Sequence, residues 1–164
     1  MTGELEPAEG AVARVERVLP ASAQDVFNAW TDPSVMTRWL SPSGRAEVEV
    51  DLRVGGSFRV AMVGDGMRID HHGEYLVVES PRKLVFTWCS RYTGPGSSVV
   101  TVVLTPRGDE THLLLIHEQL PAEHRESHER GWGSMLDNLA SLIPELIPDK
   151  YKAASPRIQQ GDGA

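Results

Sequence analysis

Histidine side chains are the groups in this chain best suited to proton transfer or to contact with a polar ligand. His117 follows Leu113 and Leu115 on a predicted strand, and strand alternation places all three side chains on one face. On an inner face, His117 would orient a ligand or act as a general base. A core imidazole bonded to the backbone would show the same pattern, so both interpretations stay open.

The remaining histidines of interest form two pairs. His71 and His72 are adjacent on a predicted strand, so their side chains point to opposite faces, and Glu74 shares the face of His72. A histidine beside a carboxylate suits acid–base chemistry and equally suits an exposed polar pair. His124 and His128 have the spacing of two metal ligands on a helix, but nothing completes the site. We therefore expect no metal.

Composition excludes several classes of function. The 164 residues carry 16 basic and 23 acidic side chains, a net charge of −7, which argues against nucleic acid or an anionic membrane surface as a partner. One cysteine, Cys89, rules out an intramolecular disulfide or a CxxC zinc site. The sequence has no phosphate-binding glycine motif, no GxSxG motif, no secretion signal and no membrane-spanning apolar run. We expect a cytoplasmic protein without a cofactor.

The predicted organisation is one α+β domain over residues 12–149, between flexible tails at residues 1–11 and 150–164. A first strand is followed by two short helices, which Ser22 and the pair Asp32-Pro33 are expected to begin.

Turn residues then separate six strands, of which the first is predicted at Ala46–Val54, before the hairpin signal Gly55-Gly56. Consecutive hairpins indicate an antiparallel sheet of about seven strands in all.

A long helix is predicted from Pro121 to about Ile143, and Pro144 is expected to stop or kink it. Its apolar stripe comprises Trp132, Met135, Leu136, Leu139, Leu142 and Ile143. Because the sheet has an apolar face to cover, we predict a curved sheet wrapped around this helix. Such a pair fills its shared space poorly at one end, which favours a small-molecule cavity there.

An ordered set of short motifs, between roughly Val12 and Ile143, resembles a known superfamily. The matching segments are Ala21–Phe27, Trp30–Pro33, Arg38-Trp39, Val54–Arg59, Gly73–Tyr75, Pro81–Trp88, Thr111–Glu118, Gly131-Trp132 and Leu136–Leu139. The set is similar to the START-like, or SRPBCC, superfamily, and within it to bacterial AHSA-type domains that resemble the activator of the ninety-kilodalton heat-shock-chaperone ATPase.

This resemblance implies the helix-grip fold and a cavity between the sheet and the C-terminal helix. The ligand-binding residues expected there are Trp39, Phe58, Trp88, His117, Trp132, Met135, Leu136 and Leu139. Trp132 and His117 are expected to approach the same cavity. If the protein is an enzyme, the candidate catalytic residues are His117, His72, Glu74 and Arg59.

Three functions fit these observations. The first is non-enzymatic binding of a small hydrophobic or aromatic molecule, which the absence of a catalytic motif favours. The second is an enzyme of the cyclase, aromatase or hydrolase type. The third is a chaperone-associated stress-response module, with the chaperone as partner. Exposed edge strands also suggest a homodimer.

Overall fold

The computed structural model describes residues 10–146, which form seven strands and three helices. The strands are β1 Ala11–Leu19, β2 Ala46–Val50, β3 Ser57–Gly64, β4 Met67–Glu79, β5 Lys83–Trp88, β6 Ser98–Arg107 and β7 Glu110–Leu120. They form one antiparallel sheet in the order β1-β7-β6-β5-β4-β3-β2. The predicted tails lie outside the described residues, except that Ala11 already begins β1.

The two short helices carry the chain from one edge of the sheet to the other, because β1 and β2 lie at opposite edges. They are α1, Ala23–Thr31, and α2, Pro33–Met36. The Ser22 hydroxyl accepts a hydrogen bond from the Asp25 amide at 3.1 Å. The Asp32 carboxylate accepts one from the Ser34 amide at 3.0 Å. Both helices therefore begin where the sequence predicts.

The long helix α3, Arg125–Leu146, follows a short 3-10 turn at Ala122–His124 and covers the concave face of the sheet. The buried stripe is confirmed, with one exception at Leu142, which is only half-buried; its buried members are Trp132, Met135, Leu136, Leu139 and Ile143. The prediction that Pro144 stops the helix is wrong. Pro144 lies exposed in the last described turn, where its missing N–H removes only one backbone hydrogen bond.

Strand β2 ends at Val50, four residues earlier than predicted. The Arg53 amide donates to the Asp51 carbonyl at 3.0 Å, and the Gly56 amide donates to the Arg53 carbonyl at 2.8 Å. These bonds bend the backbone into a tight turn, in which Gly55 has a φ of 87°. The alternating pattern of the sequence continues through this turn, but the regular pairing of β2 with β3 ends at Val50.

The first half of strand β4 pairs with β3 and its second half pairs with β5. Gly73 lies close to the point where one pairing gives way to the other. At Gly73 the strand passes so close to its neighbours that an added Cβ would overlap the Thr87 carbonyl oxygen and lie 2.5 Å from Phe58 Cζ. The pairing of β4 with β5 also shifts register between Tyr75 and Val77. The missing side chain at Gly73 therefore allows the curvature that makes the sheet concave.

We expect Gly73→Ala to lower the free energy of unfolding by at least about 1–3 kcal/mol, because the backbone must move to admit the methyl group. The matched control is Gly96→Ala, where an added Cβ meets nothing within 4 Å. Urea unfolding of both variants measures the difference. Equal midpoints would show that β4 tolerates a side chain at the bend.

Candidate functional site

An open pocket lies where the start of α3 faces β3, β4 and the end of β5. Its volume is about 390 Å³, within the range of roughly 300–1,000 Å³ that is typical of small-molecule sites. It is lined by Pro42, Met62, Ile69, His71, Trp88, Tyr92, His124, Ser127, His128, Gly131, Trp132 and Met135. This set is mostly apolar and includes three histidines.

Two tryptophans form the inner wall of the open pocket. Trp88 is the last residue of β5 and Trp132 lies in α3, and their ring centroids are 5.1 Å apart with planes inclined by 49°. The ring of His71, from β4, lies 4.6 Å from the ring of Trp88. An aromatic wall of this kind suits a planar apolar ligand.

A chain of hydrogen bonds behind this wall holds both tryptophans. His117 is completely buried, and Trp132 Nε1 donates to His117 Nδ1 at 3.0 Å. Because the indole N–H can only donate, the imidazole proton lies on Nε2. Nε2 donates to Ser98 Oγ at 2.7 Å, and the Ser98 hydroxyl donates to the Trp88 carbonyl at 2.6 Å. His117, through Ser98, therefore links the side chain of Trp132 to the backbone of Trp88.

His117 is a positioning residue and does not reach the pocket itself. Burial, and then the neighbouring His128 and His71, lower the pKa of His117 to about 3. The neutral imidazole has both nitrogens engaged in hydrogen bonds. The expected meeting of Trp132 and His117 in one cavity is therefore only half correct, because Trp132 lines the pocket and His117 lies one layer behind it.

The other three candidate catalytic residues lie on the outer face of the sheet. Arg59, His72 and Glu74 are exposed, because Phe58 and Tyr75 occupy the alternate, inward positions of the same strands. Arg59 and His72 are directly opposite each other on β3 and β4. They cannot act on a ligand in the open pocket, and His71, not His72, is the histidine that faces it.

The outer face carries a wider groove of about 760 Å³, which Arg59 and His72 border. Its charged side chains pair with one another, and Arg68 lies 2.9 Å from the Glu47 carboxylate and 3.1 Å from that of Asp70. Exposed pairs of this kind contribute little free energy. The groove has the character of a solvated sheet surface.

The expected ligand-binding residues divide into three groups. Trp88, Trp132 and Met135 line the open pocket. Phe58 lies deeper, in the wall of a closed void. The remaining side chains belong to the packed core and line neither space; they are Trp39, His117, Leu136 and Leu139. Trp39 has a structural role, since its indole N–H donates to the Ala29 carbonyl at 3.0 Å.

The space between the sheet and the middle of α3 is almost filled, so the predicted poor filling at one end is found only at the start of α3, where the open pocket lies. The void that remains has a volume of about 10 Å³, enough for about one water molecule. Aromatic rings occupy the rest, and Trp30 packs on Trp132 with centroids 5.9 Å apart. Trp30 Nε1 is the buried side-chain polar atom within residues 10–146 that lacks a hydrogen-bond partner.

The sequence predicted that one of His71 and His72 faces the cavity and left open which, and it did not identify His128 or Tyr92 as pocket residues. The signal for His71 was available, because the large Tyr75 is four residues away and shares its face of β4. The spacing of His124 and His128 indicated only a pair of metal ligands. Nothing in the sequence shows that the loop after β5 brings Tyr92 to this pair.

Two kinds of feature are not found in the part of the chain that the structure describes. It holds no group of three or more His, Cys, Asp or Glu side chains placed to bind a metal ion. No helix within residues 10–146 is long and apolar enough to cross a lipid bilayer.

Solved structures similar to this chain come from several organisms. Protein CV1439 from Chromobacterium violaceum matches with a TM-score of 0.70 and 28% identity, over 80% of this chain and 96% of that one. CalU16 from Micromonospora echinospora matches with a TM-score of 0.64 and 29% identity, over 84% and 87%. PFC0360w from Plasmodium falciparum, which is described as an HSP90 activator, matches with a TM-score of 0.67 and 27% identity, over 82% and 96%. No curated protein matches the chain.

The helix-grip architecture inferred from the motifs is confirmed by these structures and by the strand order. A family match covers residues 20–143, which is most of the chain and spans every strand except β1. The chain therefore belongs to the family described as "Activator of Hsp90 ATPase homolog 1-like protein".

Proposed function

We propose that this protein binds a small planar, apolar molecule in the open pocket at the start of α3. The observation that carries the proposal is the aromatic wall of Trp88 and Trp132, whose tilted rings border a space of about 390 Å³. Apolar walls with a few polar groups are characteristic of ligand sites. A bound ring would lie against the tryptophans, and the histidines would meet its polar substituents.

Binding is favoured over catalysis by the placement of the candidate acid–base residues. His117 is buried with both ring nitrogens engaged, and the other three candidates are exposed on the outer face. Proton transfer requires a side chain within hydrogen-bond reach of the reacting atom. A cyclase-type or hydrolase-type activity would therefore need residues other than those four.

A glycine substitution can close the pocket without weakening the fold. Gly131 lines the pocket inside α3, and an added Cβ there meets nothing within 4 Å. Gly131→Ala should stabilise the helix by about 1 kcal/mol and leave the pocket open. Gly131→Phe should fill it. We expect aromatic ligands to quench tryptophan emission in the wild type and in Gly131→Ala, but not in Gly131→Phe.

Thermal-shift measurements on the wild type, Gly131→Ala and Gly131→Phe should give the same result as the quenching of tryptophan emission. A ligand at one hundred times its Kd stabilises the folded protein by about 2.7 kcal/mol. The screen would use polycyclic aromatics and fatty acids. If a compound shifts all three proteins equally, it binds elsewhere and the proposed site is wrong.

Chaperone contact is a second candidate function, favoured by the 27% identity to the Plasmodium falciparum protein described as an HSP90 activator. Stimulation of the chaperone ATPase by the purified chain would support it, and no stimulation at saturating protein would contradict it. A cytoplasmic location and a homodimer through an edge strand also remain predictions.

A further inference from the structure

In two of the pocket histidines, a contact with the backbone determines which ring nitrogen carries the proton. His71 Nδ1 lies 3.3 Å from the Val60 carbonyl oxygen, and His128 Nδ1 lies 2.7 Å from the His124 carbonyl oxygen. A carbonyl oxygen can only accept, so each Nδ1 carries the imidazole proton and donates it. The tautomer of both rings follows from these two contacts.

The other nitrogen of each ring is then a hydrogen-bond acceptor. Neither Nε2 has a hydrogen-bond partner within residues 10–146, and neither is a fully buried atom. Both therefore reach a space that their rings border: the open pocket for His128, and the open pocket or the outer groove for His71. Burial lowers the pKa of His71 to about 4, and burial also lowers the pKa of His128. At neutral pH both rings are uncharged and present lone pairs.

The remaining lining residues supply no positive charge to the pocket. Arginine and lysine are absent from the lining set. The Ser127 hydroxyl donates to the His124 carbonyl at 3.1 Å, so its proton is engaged. The ring of His124 packs edge-on against Tyr92 at the rim, with centroids 5.6 Å apart. A carboxylate in the pocket would lose its hydration, and no lysine or arginine of the lining would compensate its charge.

We propose that the pocket selects aromatic ligands that carry hydroxyl donors, phenols or enols, which donate hydrogen bonds to Nε2 of His71 and Nε2 of His128. This inference rests on the proposed function, because it assigns the chemical class of the ligand to the same pocket.

Three test compounds of nearly equal size distinguish the possibilities: naphthol, its methyl ether and naphthoate. Naphthol donates a hydrogen bond, the ether has no donor, and naphthoate is an anion at neutral pH. We expect naphthol to bind about threefold to tenfold more tightly than the ether, the effect of one hydrogen bond. Naphthoate should bind most weakly. Tighter binding of naphthoate than of naphthol would overturn the inference.

Variants of His128 and His71 test which side chains carry the selectivity. Because the single hydroxyl of naphthol donates to one ring, the preference for naphthol over its ether should fall in His128→Leu or in His71→Phe. Binding of the ether should persist in both variants and show that the pocket is intact. His128→Gln, whose amide oxygen can accept a hydrogen bond, should retain part of the preference. An unchanged preference in both of the first two variants would contradict the proposed contacts.

The results separate this inference from the proposed function. If all three compounds bind the wild type equally, and Gly131→Phe abolishes that binding, the pocket is a binding site but the assigned ligand class is wrong. If none of the three binds, the proposed function fails, and the inference that depends on it fails too.

Discussion

Leu139→Ala should lower the free energy of unfolding by about 2–5 kcal/mol, as expected for truncation of a fully buried leucine. Leu139 is 0% exposed and lies in the middle of the stripe by which α3 covers the sheet. Its neighbours include Ala21, Val26 and Ala29, whose short side chains cannot fill the space left by the removed methyl groups. Urea unfolding at neutral pH, followed by tryptophan emission, measures the change.

Two control variants show whether the effect comes from burial. Leu76→Ala makes the same chemical change on the outer face of β4, where the side chain is 42% exposed, and it should cost far less. Asp137→Ala lies on the exposed side of α3, where the carboxylate pairs with Arg17 at 3.0 Å. Loss of an exposed ion pair costs at most about 1 kcal/mol. Similar losses in all three variants would mean that α3 does not bury its stripe.

Acidification should destabilise the protein by about 4 kcal/mol between pH 7 and pH 4.5, before most carboxylates are protonated. Burial lowers the pKa of His117 to about 3 and that of His71 to about 4, while both have the ordinary value of 6.5 in the unfolded chain. Unfolding therefore takes up protons in this window. The stabilising contribution is complete above pH 6.5 and is lost as the pH falls toward the folded values.

Histidine variants assign this pH dependence to particular rings. His71→Phe keeps an aromatic ring against Trp88 and should reduce the slope of stability with pH by about 1.4 kcal/mol per pH unit. His72→Gln, on the exposed outer face, should leave the slope unchanged. Urea unfolding at half-unit pH steps gives the slopes. A flat wild-type profile from pH 6.5 to 4.5 would show that the buried rings accept protons without unfolding.

The fold could be predicted from sequence because each of its elements is encoded locally. Helix starts at Ser22 and Asp32 depend on a side chain and an amide two or three residues away. The stripe on α3 depends on 3.6 residues per turn, and Leu139 falls on it by spacing alone. The predictions from sequence were wrong where two local rules favour different structures. Pro144 was expected to end a helix that continues, and the turn at Asp51 interrupts an alternating run.

The candidate site could be predicted only in part, because its properties depend on distances between separate elements. The family resemblance implied that eight residues would border one space, and three of them, Trp88, Trp132 and Met135, line the open pocket. It could not show how far α3 lies from the sheet, and that distance leaves about 10 Å³ in the middle and about 390 Å³ at the end. Tertiary structure alone decided which histidines border the open pocket. His117 and His128 have ring centroids only 5.1 Å apart, yet one is sealed by Ser98 and Trp132 and the other borders the pocket. Hydrogen bonds between residues far apart in the chain have no periodic signature, and so they become visible only when the sheet and the helix are packed together.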